Sequence, residues 1–213
     1  MYWWLFLLCP IAYLIGSLNI SRFITRLRHV DLTHVGSGNV GATNVWRAMG
    51  FKWFLLVLFL EIFKCAAVAL TGYLFVSLRT QIYYYTEMHY IVLLSMGLAA
   101  VLGSIFPVWH GFKGGKGVAN WIGFGFVINP LVMLAAALIF TPLLAITRIM
   151  SISTLLGLIF WAVMSIWLEV PQTAPVIALY CCFVVVILFA HRKNIIRIFT
   201  GKEKRLSFGK NKK

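Results

Sequence analysis

Seven apolar stretches, at about residues 2–20, 51–78, 89–109, 118–128, 130–146, 151–168 and 174–190, occupy most of this 213-residue chain. A spanning helix needs about 20 apolar residues, or about 17 at the short end, so only the stretch at 118–128 falls short. With 62% hydrophobic residues, 11% charged and a mean hydropathy of +0.92, a soluble core of this size could not hide the apolar surface. The expected fold is therefore all-α: a polytopic integral membrane protein of about seven transmembrane helices. The opening MYWWLFLLCPIAYLIGSLNI lacks the basic region and small-residue cleavage site of a signal peptide, and Leu8 before Cys9 does not fit lipoprotein cleavage. A retained first helix is expected. Cys9, Cys65, Cys181 and Cys182 fall in apolar segments without metal or redox spacing and read as packing residues.

Residues 118–146 are either one helix interrupted at Asn129-Pro130 or two helices meeting there in a hairpin. Charge decides between them. With seven spans and the N-terminus outside, every Lys and Arg except Arg79 and Lys64 faces the cytoplasm. With six, the basic residues from Arg192 to Lys213 fall on the side opposite the Arg22 to Arg47 loop. Seven spans and a cytoplasmic C-terminus follow, with Tyr2, Trp3, Trp4 and Tyr83 to Tyr85 as interfacial anchors near outer ends. No repeat or second domain is visible, so residues 1–213 read as one membrane-embedded domain with a basic cytoplasmic tail at 191–213. The excess of 19 Lys and Arg over 5 Asp and Glu then marks loops facing anionic lipid, and no nucleic-acid partner is expected.

GSGNVG, residues 36–41, matches the G-x-G-x-x-G pattern of a dinucleotide-binding turn, but that reading requires an apolar strand before the glycines. The preceding RFITRLRHVDLTH carries Arg22, Arg26, Arg28, His29, Asp31 and His34 instead. Three polar stretches interrupt the apolar chain, at 31–50, 110–120 (HGFKGGKGVAN) and 191–206 (HRKNIIRIFTGKEKRL), all on the cytoplasmic side. They offer glycine-rich backbone, the cations Arg47, Lys113, Lys116, Arg192 and Arg197, and the hydrogen-bonding groups Ser37, Asn39, Thr43, Asn44, His191 and Asn194. That set suits phosphate, because free amides in glycine turns and at helix N-termini attract anions while Arg and Lys add charge-assisted hydrogen bonds. The scarcity of acidic residues argues against a carboxylate-held metal, and no cofactor is implied. The second stretch is not a Walker A loop: His110 stands five residues before Gly115, and Gly117 follows Lys116.

Each element also has a bland reading. Glycines beside membrane helices serve close packing, loop cations serve topology, and His191 can cap a helix. Glu61 and Lys64 differ, since a charge near a helix centre costs about 2.5–3.5 kcal/mol on insertion scales. At i, i+3 they can pair with each other, as a structural ion pair or as support for a site.

GSGNVGATNVWR, FKGGKGVA and HRKNIIRIFTGKEKR, in this order between apolar helices, resemble the three signature segments of the bacterial acyl-phosphate:glycerol-3-phosphate acyltransferases. The resemblance runs from the first helix to the tail. It departs at Ser104, where His often precedes the second segment, at Asn120, where Thr usually follows, and at Cys65, where Gly often follows the second-helix lysine. It implies a seven-helix enzyme of the bacterial cytoplasmic (inner) membrane, with its site on the cytoplasmic side and with acyl phosphate and sn-glycerol 3-phosphate as substrates. The implied catalytic residues are Ser37, Arg47, Lys116, His191 and Asn194. Gly38, Asn39, Gly41, Thr43, Asn44, Gly114, Gly115 and Glu203 are the implied substrate-binding residues. Two alternatives stand beside this reading: an anion or phosphate-ester transporter with Glu61 and Lys64 on its pathway, and the same acylation from acyl-CoA.

Overall fold

The computed structural model describes residues 6–81, 86–168 and 172–206, and these contain helices joined by short connections. In chain order they are α1 (Leu8–Gly16), α2 (Ile20–Leu27), α3 (Ala42–Met49), α4 (Phe51–Thr80), α5 (Glu87–Ile105), α6 (Val118–Ile128), α7 (Pro130–Thr147), α8 (Met150–Leu168), α9 (Ala174–Ala190) and α10 (Arg192–Phe199). Five segments are long and apolar enough to cross a membrane: α1 with α2, α4, α5 with the turn after it, α7 and α8. α9 and α10, bent by 65° at His191, make a sixth if the pair is taken as one span. The expected anchors at Tyr2, Trp3, Trp4 and Tyr83 to Tyr85 lie outside the described residues.

Two expectations are resolved in detail. The first apolar stretch is not one helix but breaks at 17–19 into α1 and α2, so Arg22 and Arg26 stand on a helix. Asn129 separates α6 from α7, accepting the amide of Val132 on its side chain at 3.1 Å, with Pro130 preset for the first helical turn. The chain turns back there: the Met133 side chain reaches the space a Gly125 side chain would fill, although an unbroken helix would set these residues about 12 Å apart. At 11 residues, α6 covers about 16 Å, roughly half a hydrocarbon core. The preceding loop folds back on the end of α5. There the amides of Gly114 and Gly115 donate to the carbonyls of Ile105 and Ser104, at 3.1 and 2.9 Å.

Packing depends on small residues at helix crossings. Gly16 and Gly103 bring α1 against α5 so closely that a Cβ on either would run into the partner backbone, at Ala100 and at Tyr13. Asn120 of α6 seals this crossing by donating to the Ala100 carbonyl at 2.8 Å. Gly123 lets α6 lie on α4 beside Cys65, and Gly97 makes room for the rings of Phe124 and Phe183. Trp161 centres the core, with Tyr180, Phe183 and Trp121 ringed around it at centroid distances of 4.9, 5.7 and 5.7 Å. The outward faces of α4, α7 and α9 expose Phe59, Phe63, Leu131, Leu138 and Val185, as helices solvated by lipid should.

Gly103→Val should therefore force α1 off α5 and lower stability by about 1–3 kcal/mol, the usual range for overpacking. Thermal unfolding in detergent measures it. Gly157→Ala is the control, because its Cβ meets the nearest atom at an ordinary 3.7 Å, and its midpoint should match or exceed that of the parent.

Candidate active site

The three polar stretches meet at one cavity of about 240 Å3 at the end of the bundle. Its floor is made by two helix N-termini. At α3 the cap residue Gly41 has no side chain to offer, which leaves the first amides, of Ala42 and Thr43, without an intrahelical acceptor. At α6 the same holds for Val118 and Ala119 behind Gly117, whose φ of +75° and contact with Val101 leave room for no other residue. All four line the cavity, so the positive ends of two helix dipoles point into it.

The first loop is braced from within. Asn44 is buried and uses both ends of its amide: it donates to the Val35 carbonyl at 2.8 Å and accepts from Arg47 Nη1 at 2.9 Å. Gly36, at φ +57°, passes so near Asn44 and Arg47 that a Cβ would displace them. Arg47 is thereby aimed into the cavity, whereas the Ser37 hydroxyl has only a 3.5 Å contact with Asn44 Oδ1 and is free to turn toward a ligand. Asn39, Gly41 and Thr43 also line the space, while Gly38 turns the loop at φ +71° without lining it.

From the second loop, Lys116 lines the cavity and Gly114 and Gly115 do not. Their amides are spent on α5, and a Cβ at Gly114 would collide with Ser104 and Pro107, so these glycines set how closely the loop lies on α5. The third segment supplies His191 at the bend between α9 and α10, Asn194 on α10, and Glu203 from the chain beyond it. Glu203 accepts from Ser151 Oγ at 2.9 Å, Asn194 Nδ2 at 2.6 Å and Arg197 Nε at 2.7 Å. Burial alone would raise its carboxyl, but these hydrogen bonds outweigh that and hold it below the usual range.

Arg47, Lys116 and Arg197 against Glu203, with Glu61 neutralised by Lys64, leave a net charge of +2 around the cavity, the complement of a phosphate monoester dianion. Burial pushes the Lys116 ammonium down to about 8; Glu203 opposes that shift, and Arg197 and Arg47 add to it. Burial, reinforced by Lys116, pushes the His191 imidazole down to about 3. The ring is neutral. Its Nδ1 lies 2.8 Å from the Ile187 carbonyl, which can only accept, so the proton sits on Nδ1 and Nε2 carries the lone pair.

The remaining expected cations lie elsewhere. Arg197 stands behind Glu203, Lys113 is exposed, and Arg192 caps the Phe189 carbonyl at 3.0 Å while lying over its ring. Sequence reasoning passed over Asn19, Ser21, Ser104, Ser151 and Thr154, which add polar groups to the lining. The available signal was the cluster SIST at the mouth of an apolar helix. Beyond the polar end the cavity continues as an apolar arm lined by Phe54 and Leu58 of α4, Ile122 and Phe126 of α6, and Ala137 and Phe140 of α7.

The chain is similar to known proteins over almost its whole length. The glycerol-3-phosphate acyltransferase of Aquifex aeolicus is 38% identical over 197 residues, covering 91% of this chain and 95% of its own length. That of Mycoplasmopsis pulmonis is 32% identical over 219 residues, covering 96% and 94%. Crystal structures of PlsY (YgiH), an integral membrane glycerol 3-phosphate acyltransferase, superpose with TM-scores of 0.83 for the glycerol 3-phosphate form and 0.81 for the lysophosphatidic acid form. Identity is 36% and 35%, with 95% of this chain covered in both cases and 96% and 95% of theirs. The family model for glycerol-3-phosphate acyltransferase matches residues 6–201, and with that span and these relatives the chain belongs to the glycerol-3-phosphate acyltransferase family.

Proposed function

We propose that this chain transfers a fatty acyl group from acyl phosphate to the 1-hydroxyl of sn-glycerol 3-phosphate, releasing lysophosphatidic acid and inorganic phosphate. The observation that carries the reading is the continuity of a +2 polar chamber with an apolar arm, since the donor has a phosphate at one end and an acyl chain at the other. Ser37, Arg47, Thr43 and the amides at the start of α3 hold the acyl-phosphate head. Lys116, His191 and Asn194 position glycerol phosphate, with Glu203 fixing Asn194. As the hydroxyl oxygen bonds to the acyl carbon, the carbon–oxygen bond to phosphate breaks, and the hydroxyl proton passes to the departing phosphate. The developing negative charge meets preorganised donors, worth about 2.7–4 kcal/mol for a well-placed one. A His191 imidazole held neutral at Nε2 accepts a hydrogen bond from the hydroxyl, but a group pushed down to about 3 is a poor proton store. The protein then supplies proximity and charge, and the donor's own phosphate acts as base.

In this reading residues 1–213 form one domain of the bacterial cytoplasmic membrane, crossing it seven times with the N-terminus outside. The tail at 191–213 and the cavity face the cytoplasm. Support comes from the placement of the basic residues and from the hairpin at Asn129. Single cysteines at Thr33, Gly111 and Lys202, in a background lacking the native four, should be shielded from impermeant thiol reagent in intact cells. Labelling of Lys202Cys from outside would sink the seven-span arrangement.

Purified protein should release phosphate and form lysophosphatidic acid from long-chain acyl phosphate and glycerol phosphate; turnover with acyl-CoA alone would overturn the donor. Ser37→Ala, Arg47→Ala and Lys116→Ala should each lower kcat at least tenfold, or about 1.4 kcal/mol of lost transition-state stabilisation. Asn194→Ala should act partly by raising KM for glycerol phosphate.

The Lys116 charge gives a pH signature. Its ammonium is present below about pH 8 and lost above it, so kcat/KM should fall as pH rises through that value. The limb in kcat should lie higher, because bound phosphate favours the ammonium. Lys116→Arg should remove the limb and His191→Gln should keep it. A base role for His191 would instead appear as a limb in which activity rises with pH and which His191→Gln removes.

A further inference from the structure

We infer that Glu61 and Lys64 are positioning residues, which cap the two helix ends at the α1–α2 break and so fix the segment from which Asn19 and Arg22 hold both phosphate loops. The inference rests on the activity proposed above. Lys64 Nζ donates to the Leu18 carbonyl and to Glu61 Oε2, both at 2.7 Å. Glu61 Oε1 accepts from the Ile20 amide, the first of α2, at 2.9 Å. Each charge therefore meets the helix end that its sign suits: ammonium on a carbonyl just past the C-terminus of α1, carboxylate on an N-terminal amide of α2. An ion pair needed only to neutralise itself would have no reason to be oriented this way.

The break it holds is tied directly to the site. Asn19 caps α2 by accepting the Arg22 amide at 2.8 Å, and its Nδ2 donates to the Val40 carbonyl in the first loop at 3.3 Å. Arg22 Nη2 donates to the Lys113 carbonyl in the second loop at 2.8 Å. The two loops also meet at this place, since the same Val40 carbonyl lies 3.3 Å from where a Gly115 Cβ would stand. Asn19, Ser21 and Glu61 all line the cavity. Rotating α2 about its first turn would thus shift Val40, next to the α3 N-terminus, and Lys113, three residues before Lys116, together.

The test combines kinetics with a distance. Glu61→Gln, Asn19→Ala and the exchange Glu61→Lys/Lys64→Glu are assayed as folded, monodisperse protein. Spin labels at His34 and Lys113, both exposed, report the separation of the loops in a background without native cysteines. Asn19→Ala should raise KM for glycerol phosphate at least fivefold, widen the distance distribution and leave the melting temperature within a few degrees. Glu61→Gln should lower kcat/KM at least tenfold with the same widening. The exchange keeps an ion pair but points each charge at the wrong helix end, so it should be no better than Glu61→Gln. Recovery by the exchange to within threefold of the parent would overturn the inference. So would kinetic loss with an unchanged distance distribution, or a widened distribution with unchanged kinetics. If the exchange does not fold, Glu61→Gln and Asn19→Ala decide by the same two readouts. Absence of turnover in the parent protein would instead defeat the proposed activity, while the distances would still show whether the pair holds the loops.

Discussion

The polar end of this molecule depends on one half-buried carboxylate. Glu203 gathers Ser151 from α8 and Asn194 and Arg197 from α10, and it is the acid that offsets the charge of Arg47 and Lys116 across the cavity. Three cations desolvated together would repel one another and lose their hydration, a penalty of several kcal/mol per ion even after relaxation. The other carboxylate at the cavity, Glu61, is neutralised by Lys64 and leaves that balance unchanged. Glu203 set against Arg47, Lys116 and Arg197 leaves an excess of positive charge that suits phosphate.

Around that carboxylate, binding groups are made largely from the places where helices stop. A bundle of uninterrupted spans would bury every amide in its own helix and leave none for a ligand. Here the chain breaks at 17–19, at Gly50 and ahead of Val118, producing α2, α3 and α6 as short helices whose ends lie at the cavity rim. Each break needs compensation. Glu61 and Lys64 satisfy the first, and Gly50, at φ +92°, turns the second while Trp46 packs 4.9 Å from both Phe51 and Phe54. The fold of the second loop against α5 satisfies the third. The insertion cost of Glu61 and Lys64, about 2.5–3.5 kcal/mol each if unpaired, is offset by the groups they cap.

Helix positions were legible because hydropathy is a local property, and the apolar stretches at 51–78, 130–146 and 151–168 coincide with α4, α7 and α8 to within a few residues. The break in the first stretch was not, since Ser17, Leu18 and Asn19 carry no Gly or Pro and the carboxylate that stabilises the break is 41 residues away from Ile20. In the site, Arg47, Lys116, His191 and Asn194 could be singled out because charge and amide groups stand out in an apolar chain. What could not be read was the division of labour among like residues. Gly114 and Gly115 resemble ligand-binding glycines in sequence, yet their amides face Ile105 and Ser104, and only the path of the chain decides that. Lys113 and Lys116 differ likewise: three positions apart, one is exposed and the other enters the cavity.

Residues 36–47 and 114–118 belong to the first and middle thirds, but Glu203, which completes the lining, comes from near the end of the described residues. Lys204 Nζ donates to the Gly36 carbonyl at 2.5 Å across 168 positions, and Leu206, buried, donates its amide to the Arg148 carbonyl at 2.7 Å. Glu203 thus brings the counter-charge to Arg47 and Lys116 from a segment far along the chain, and the desolvation of the two cations is offset where that segment lies against the loops. Gly201, at φ +69°, makes the turn that carries Glu203 back beneath α10, and the side-chain bonds of Asn194 and Arg197 hold it there.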